Sequence, residues 1–304
     1  MFEKILLATT ASPTCDDATN VAFDLAKKYN SELTVFHVLG VPSRGFSPFV
    51  TDVRTGETES IYDDNYLALV KEEMQHTYEK QLLDLPSAKL VALTGVPHTE
   101  ILRRARQDNS DLIVMGSHTR PYEDLGASRF RGVAGSTMQK VTKSARCPVL
   151  IISRPCTTCW WYFSNIVVGV DFSKASLSAF LFALKAAREI PCRLHVFHAL
   201  DLSRQDVPQE EIEGRIAAAR QRMEDMYLTH LGGFEAYEVD IWEGTPHVEI
   251  LKYARTKEAD LIVMAHHARE VDPEKALLGS TVEQVVLRAA CPVASVNKLD
   301  KVGD

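Results

Sequence analysis

Residues 111–119 read DLIVMGSHT and residues 260–268 read DLIVMAHHA. Four apolar residues after an acid, followed by small or polar ones, predict a buried strand that ends in a turn. Finding that strand twice, 149 residues apart from Asp111 to Asp260, predicts a duplicated domain, so each exit turn should do the same job. In the second copy, however, alanine stands where the first has Gly116.

Other segments repeat in the same order. ELTVFHVL at 32–39 answers RLHVFHAL at 193–200, GVPHTEIL at 95–102 answers GTPHVEIL at 244–251, and GSTMQKV at 135–141 answers GSTVEQV at 279–285. CPV then closes both copies, at 147 and 291. The spacing falls from 161 to 149 to 144 along the chain, so the second copy is about 12 residues shorter in mid-domain and about five shorter before its GST. The 304 residues therefore divide into a first domain at 1–154, a linker at 155–164 and a second domain at 165–304.

Within the second copy, NIVVGV, RLHVFHA, AYEVDI, DLIVMA and PVASV read as strands, and KASLSAFLFALKAARE carries the apolar stripe of a helix packed on a sheet. Strands rich in Val, Ile and Leu that alternate with helices predict an α/β fold, two tandem doubly wound domains, each on a five-stranded parallel sheet. Such sheets bind ligands at the carboxyl ends of their strands. The first copy's mid-domain excess, Gly40 to Ser60, is rich in Gly, Pro and Ser and reads as a long loop.

A net charge of -7 and a pI near 5.8 offer no basic field, which argues against nucleic acid and anionic membrane as partners. No run of about 18 apolar residues predicts a membrane span, and MFEKILLATT reads as a first strand and not as a secretory signal. Six cysteines over this length do not form a disulfide framework. The expectation is a protein of the cytoplasm.

Chemistry-bearing residues gather at predicted strand exits. Gly135-Ser136-Thr137 and Gly279-Ser280-Thr281 open helices, where unpaired N–H groups and the dipole favour an anion, although Ser and Thr are also ordinary N-caps. Asp171 ends strand one of the second copy in VVGVDFSKAS and reads either as an acceptor for a ligand or as a cap, with Ser173 competing for the cap. Its counterpart is Thr10, which carries no charge. His37 and His198, like His98 and His247, sit at matched places, which argues for packing tasks. His118, His266 and His267 lie on the crevice side, and with the linker pair Cys156 and Cys159 they define an alternative, a zinc or redox-responsive protein. A lone CxxC is half a site, so no metal-ligand set is assigned. Trp160, Trp161 and Tyr162 beside it read as interdomain packing. There is no GxxxxGK[ST] loop and no GxSxG elbow, and no catalytic residue is assigned.

Taken in order, V-D-F-S at strand one, His at the end of strand two, G-x-P-x-x-x-I, D-L-I-V-M, G-S-T and C-P-V resemble the universal stress protein family in its tandem form. The resemblance implies ATP or another adenine nucleotide, with magnesium, bound by the strand-one Asp and by a G-x-x-G, nine residues, G-[ST] pattern. Carried over, this implies Val170 and Asp171 for adenine and ribose, Met264, Ala265, His266, His267 and Ala268 at the strand-four turn, and Gly279, Ser280 and Thr281 for phosphates. Thr10, Met115, Gly116, Gly135, Ser136 and Thr137 are the weaker first-copy set. Both copies depart from the pattern: Ala265-His266-His267-Ala268 replaces G-x-x-G, and the first copy keeps only Gly116 and lacks the Asp. Arg120, Arg129 and Arg131 in the first copy's enlarged loop are further phosphate candidates. The implied function is a stress-response regulator that senses nucleotide in its second domain, works as a homodimer with a regulatory protein partner, and hydrolyses ATP weakly at most. A nucleotide-free interaction module is the other alternative.

Overall fold

The computed structural model describes residues 1–11, 15–40, 49–51, 58–60, 64–117, 136–153, 163–202, 208–266 and 280–297. Two compact units result, Phe2–Met115 and Gly116–Asp304, with Met1 grouped with the latter.

In the first unit, β1 (Lys4–Thr9), α1 (Asp16–Tyr29) and β2 (Glu32–Gly40) are followed by a small antiparallel hairpin, β3 (Phe49–Thr51) and β4 (Thr58–Ser60). That hairpin corrects the reading of residues 40–60 as loop throughout. Phe49, Val50, Thr51 and Thr58 are good strand formers, and the Gly/Pro/Ser content of the surrounding segment masked them. α2 (Asp64–Thr77), α3 (Glu79–Asp84), β5 (Lys89–Gly95), α4 (Pro97–Gln107) and β6 (Leu112–Gly116) complete the pattern. Within Phe2–Met115 the strands lie in the order β6-β1-β2-β5, all parallel. Ile5, Leu6 and Leu7 of β1 and Ile113 and Val114 of β6 are almost wholly buried, as a sheet covered on both faces requires.

The second unit contains α5 (Ser136–Ser144), β7 (Val149–Ile152), β8 (Asn165–Gly169), α6 (Lys174–Glu189), β9 (Arg193–Leu200), α7 (Gln209–Met226), β10 (Tyr237–Glu243), α8 (Pro246–Thr256), β11 (Leu261–Met264), α9 (Ser280–Arg288) and β12 (Val293–Ser295). Its strand order is β10-β9-β8-β11-β12-β7. The five strands of the second repeat are parallel, and β12 then pairs with β7 in the antiparallel sense. Leu150 faces its own repeat equivalent Ala294 there, and Gln139 Nε2 donates to its equivalent Glu283 Oε1 at 2.9 Å. The closing strands of the two copies thus pair about a local two-fold.

The acid that opens each DLIVM has a structural reason. Asp111 Oδ2 accepts from the backbone N–H groups of Glu3 and Lys4, both at 2.9 Å, and Asp260 Oδ2 accepts from those of Ser164 and Asn165, at 2.7 and 3.0 Å. In both copies it pins the start of strand one to the start of strand four. The G-x-P motif is equally explicit. Gly95 and Gly244 adopt φ of +158° and +136°, and a Cβ would lie 2.7 Å from Glu100 Cγ or 2.9 Å from Glu249 Cγ. Glycine at this turn lets the glutamate of the next helix fold against the backbone, and the proline, at the start of α4 and of α8, needs no N–H there.

Candidate functional site

The site is built at the carboxyl end of the second repeat's sheet. In the parallel pairing of β11 with β8, Met264 lies opposite Gly169, so the exits Val170-Asp171 and Ala265-His266 emerge side by side. Val170 N donates to Phe197 O at 2.9 Å and Val296 N to Met264 O at 2.9 Å, which extends both edges one residue past the strands. Val170, Met264 and His266 are buried, Ala265 is half-buried and Asp171 is exposed. Thr281 is half-buried in the first turn of α9, which Ser280 opens. His267, Ala268 and Gly279 lie outside the described residues, as do the linker residues Cys156, Cys159, Trp160, Trp161 and Tyr162.

Ser173 is the cap of α6, in β conformation, accepting from Ser176 N at 3.0 Å in a reciprocal box. With the cap so filled, Asp171 takes a different place: its Oδ1 accepts from Ser173 N at 3.0 Å, a short turn that presents the carboxylate at the exposed lip of the sheet. Phe172 between them has φ +62°, a left-handed conformation that is uncommon for a bulky residue. A buried tyrosine holds it there. Tyr227 Oη accepts from Phe172 N at 3.0 Å and lies 2.7 Å from Ser176 Oγ. Since the Ser176 hydroxyl donates to Ser173 O at 3.0 Å, the phenol is the donor to Ser176. Burial pushes the Tyr227 phenol above its ordinary value, which keeps that proton in place.

His198 completes the exit from below. Its Nδ1–H donates to Val170 O at 2.8 Å, its ring lies 4.5 Å from that of Phe172, and burial holds its pKa below the usual 6.5. The matched His37 donates from Nδ1 to Thr9 O at 2.9 Å. The paired histidines thus fasten the end of strand two to the end of strand one, the structural task expected of them. His247, near the start of α8, is also held below its usual value by burial and then by the Arg288 charge.

The first repeat shows the same frame with other side chains. Ala11, the counterpart of Phe172, has φ +53°, and its N–H reaches Thr9 Oγ1 at 3.0 Å. Tyr78, the counterpart of Tyr227, lies 2.7 Å from the same Thr9 hydroxyl. Thr10 contacts Cys15 Sγ at 3.4 Å and supplies no carboxylate. Met115 pairs opposite Ala8 and is buried. In the other unit, Ser117 N donates to Ile152 O at 3.1 Å just past Gly116, and Ser136 and Thr137 open α5. Gly135, His118, Arg120, Arg129 and Arg131 lie outside the described residues.

The two tyrosines were missed in the sequence. Met74-x-x-x-Tyr78 and Met223-x-x-x-Tyr227 repeat at the 149-residue spacing of the DLIVM strand, and that match was the available signal. Among the described residues no three His, Cys, Asp or Glu side chains come together to hold a metal ion, and no helix is long and apolar enough to cross a membrane.

The sheet order, with a carboxylate at the exit of the second repeat's first strand, defines a doubly wound α/β protein, a class that binds ligands at the strand carboxyl ends. The model of the universal stress protein family matches residues 1–153 and again 163–297, and the chain belongs to that family. A universal stress protein of Methanocaldococcus jannaschii is 28% identical over 152 residues, covering 46% of this chain and 85% of that protein. The crystal structure of a universal stress protein from Archaeoglobus fulgidus aligns over 97% of this chain and 98% of its own, with a TM-score of 0.69 and 22% identity, a likeness of fold. Another solved universal stress protein from Archaeoglobus fulgidus, in complex with dAMP, is 23% identical, covering 45% of this chain and 99% of its own, with a TM-score of 0.34.

Proposed function

We propose that this chain is a stress-response regulator of the cytoplasm that binds ATP or another adenine nucleotide in its second repeat. The observation that carries the reading is the second repeat's exit geometry. Asp171 stands exposed beside Val170, and the register of β8 with β11 sets both next to Met264 and Ala265. A carboxylate accepts hydrogen bonds from ribose hydroxyls or a base amino group, while Val170 and Met264 supply apolar walls. The phosphates are assigned to His266, His267 and Ala268, which follow strand four in the sequence, and to Gly279, Ser280 and Thr281, with magnesium as the counter-ion of ATP. Thr10 leaves the first repeat, with Met115, Gly116, Gly135, Ser136 and Thr137, as the weaker site.

The domains run from 1 to 154 and from 165 to 304, joined by the linker. The chain works as a homodimer and signals through a protein partner. Full-length protein with magnesium and ATP at about 100 times the dissociation constant gains roughly 2.7 kcal/mol of stability if this holds. That appears as a rise of several degrees in the unfolding midpoint. An unchanged midpoint, with no nucleotide retained in native mass spectra, rejects the reading and leaves the interaction module.

A further inference from the structure

Three replacements between the repeats fall at positions that the second sheet brings together. Ser117, Ile151 and Ser153 of the first copy correspond to His266, Ser295 and Asn297 of the second. β12 runs beside β11 with Ser295 opposite Met264, and the bond from Val296 N to Met264 O carries that register past the strand ends, so Asn297 falls opposite His266. Alternation along the two strands sets Met264, His266, Ser295 and Asn297 on one face of the sheet. Neighbouring strands lie about 4.8 Å apart, within the reach of an amide and an imidazole.

In the first copy Ser153 Oγ donates to Val286 O of α9 at 2.7 Å. Asn297 makes the matching contact, its Nδ2 donating to Thr142 O of α5, the repeat equivalent of Val286 O, and lying 3.5 Å from Lys143 O. Both partners are carbonyl oxygens, which fixes the amide with Nδ2 toward α5 and Oδ1 turned away. That Oδ1 is buried and has no hydrogen-bond partner, and the same holds for Ser295 Oγ. A serine would serve α5 as Ser153 serves α9. The asparagine therefore adds one buried acceptor that this latch does not use, and such an acceptor costs stability until a donor reaches it. Across from it stands His266, buried, with its Nε2 shielded from solvent. An imidazole N–H is the donor that the exchange of Ser117 for histidine introduces there.

Resting on the adenine-nucleotide reading, we propose that Asn297 is a positioning residue of the second repeat: its Oδ1 takes the Nε2–H of His266 when ligand is bound, which holds the first residues after strand four, where the phosphates are assigned. The test is a double-mutant cycle in the full chain, with His266→Ser, Asn297→Ser and both together, read by calorimetric titration of ATP with magnesium. Each substitution places the first copy's residue, and Asn297→Ser keeps a hydroxyl for Thr142 O while removing the spare acceptor. Either single substitution is expected to weaken ATP by roughly fivefold, the worth of one hydrogen bond. The double substitution should weaken it no further than either single, the mark of a coupled pair. Nitrogen NMR of the ATP-bound wild type should show His266 protonated at Nε2, and Asn297→Ser should give a mixture of tautomers. Losses that multiply in the double variant, or wild-type affinity in Asn297→Ser, overturn the inference while leaving nucleotide binding intact. Wild-type protein that binds no ATP removes the nucleotide reading and this inference with it.

Discussion

Replacing Tyr227 with phenylalanine tests whether the strand-one exit is held in a binding-competent shape. The phenol is wholly buried and makes two hydrogen bonds, donating to Ser176 Oγ at 2.7 Å and accepting from Phe172 N at 3.0 Å. Each is worth about 1 kcal/mol net, so the substitution should destabilise the protein by about 2 kcal/mol. Part of this is offset, because Phe172 is then free to leave its left-handed φ, which relieves strain on the order of 1 kcal/mol. The net loss is therefore about 1–2 kcal/mol, or a few degrees in the unfolding midpoint for a unit of this size. Nucleotide affinity should fall further than stability does, since Asp171 and the Phe172 ring both lose their orientation. Tyr78→Phe is the internal control. There the N–H of Ala11 is accepted by Thr9 Oγ1 and not by the phenol, so removing the hydroxyl leaves that N–H satisfied and should cost about half as much, with no change in affinity. Urea denaturation followed by circular dichroism, with calorimetric titration of ATP, measures both quantities. Equal effects of the two substitutions, or a Tyr227→Phe protein with wild-type affinity, would refute the clamp.

Gly244→Ala places a methyl group 2.9 Å from Glu249 Cγ at φ +136°, and should destabilise by roughly 1–3 kcal/mol; Glu249→Ala in the same chain relieves the steric part only, so full rescue argues against a backbone requirement. His195, His198 and His247 are all held below their ordinary pKa, with burial the leading cause. The unfolded chain then binds protons before the folded one does, so stability is complete above about pH 6.5 and is lost as pH falls through that value toward the folded pKa values. Urea midpoints measured from pH 7.5 to 5.5 should decline, and His198→Gln should flatten the decline; a slope unaltered by the substitution would contradict the assignment. Asp260→Ala removes the acceptor of two backbone N–H groups, those of Ser164 and Asn165, and should cost about 2 kcal/mol, readable by the same midpoints.

The duplicated fold was legible because matched segments preserve order: DLIVM, GxPxxxI and GST fall at the same topological points, and the period of each names its element. The positions of Asp171 and Val170 were legible, since the end of the first strand of such a sheet lies at its carboxyl edge by topology alone. What the sequence hid depends on tertiary geometry. A left-handed backbone at Ala11 and Phe172 is invisible where glycine is absent, because the conformation is imposed by Tyr227 and by Thr9 from elsewhere in the fold. The hydroxyls of Tyr78 and Tyr227 gain meaning only when the strand-one exit is seen beside them. The Asp that opens each DLIVM run carries no sign of its task in the sequence, because the strand-one N–H groups that it pins are far along the chain.

The central claim is that an adenine nucleotide binds in the second repeat and depends on Asp171, and one titration addresses it directly. Calorimetric titration of ATP with magnesium into full-length wild type, Asp171→Ala and Thr10→Ala should give one site per chain for wild type, a large loss of affinity for Asp171→Ala, and none for Thr10→Ala. Equal small effects of the two substitutions, or binding that survives in Asp171→Ala and is lost in Thr10→Ala, would contradict it.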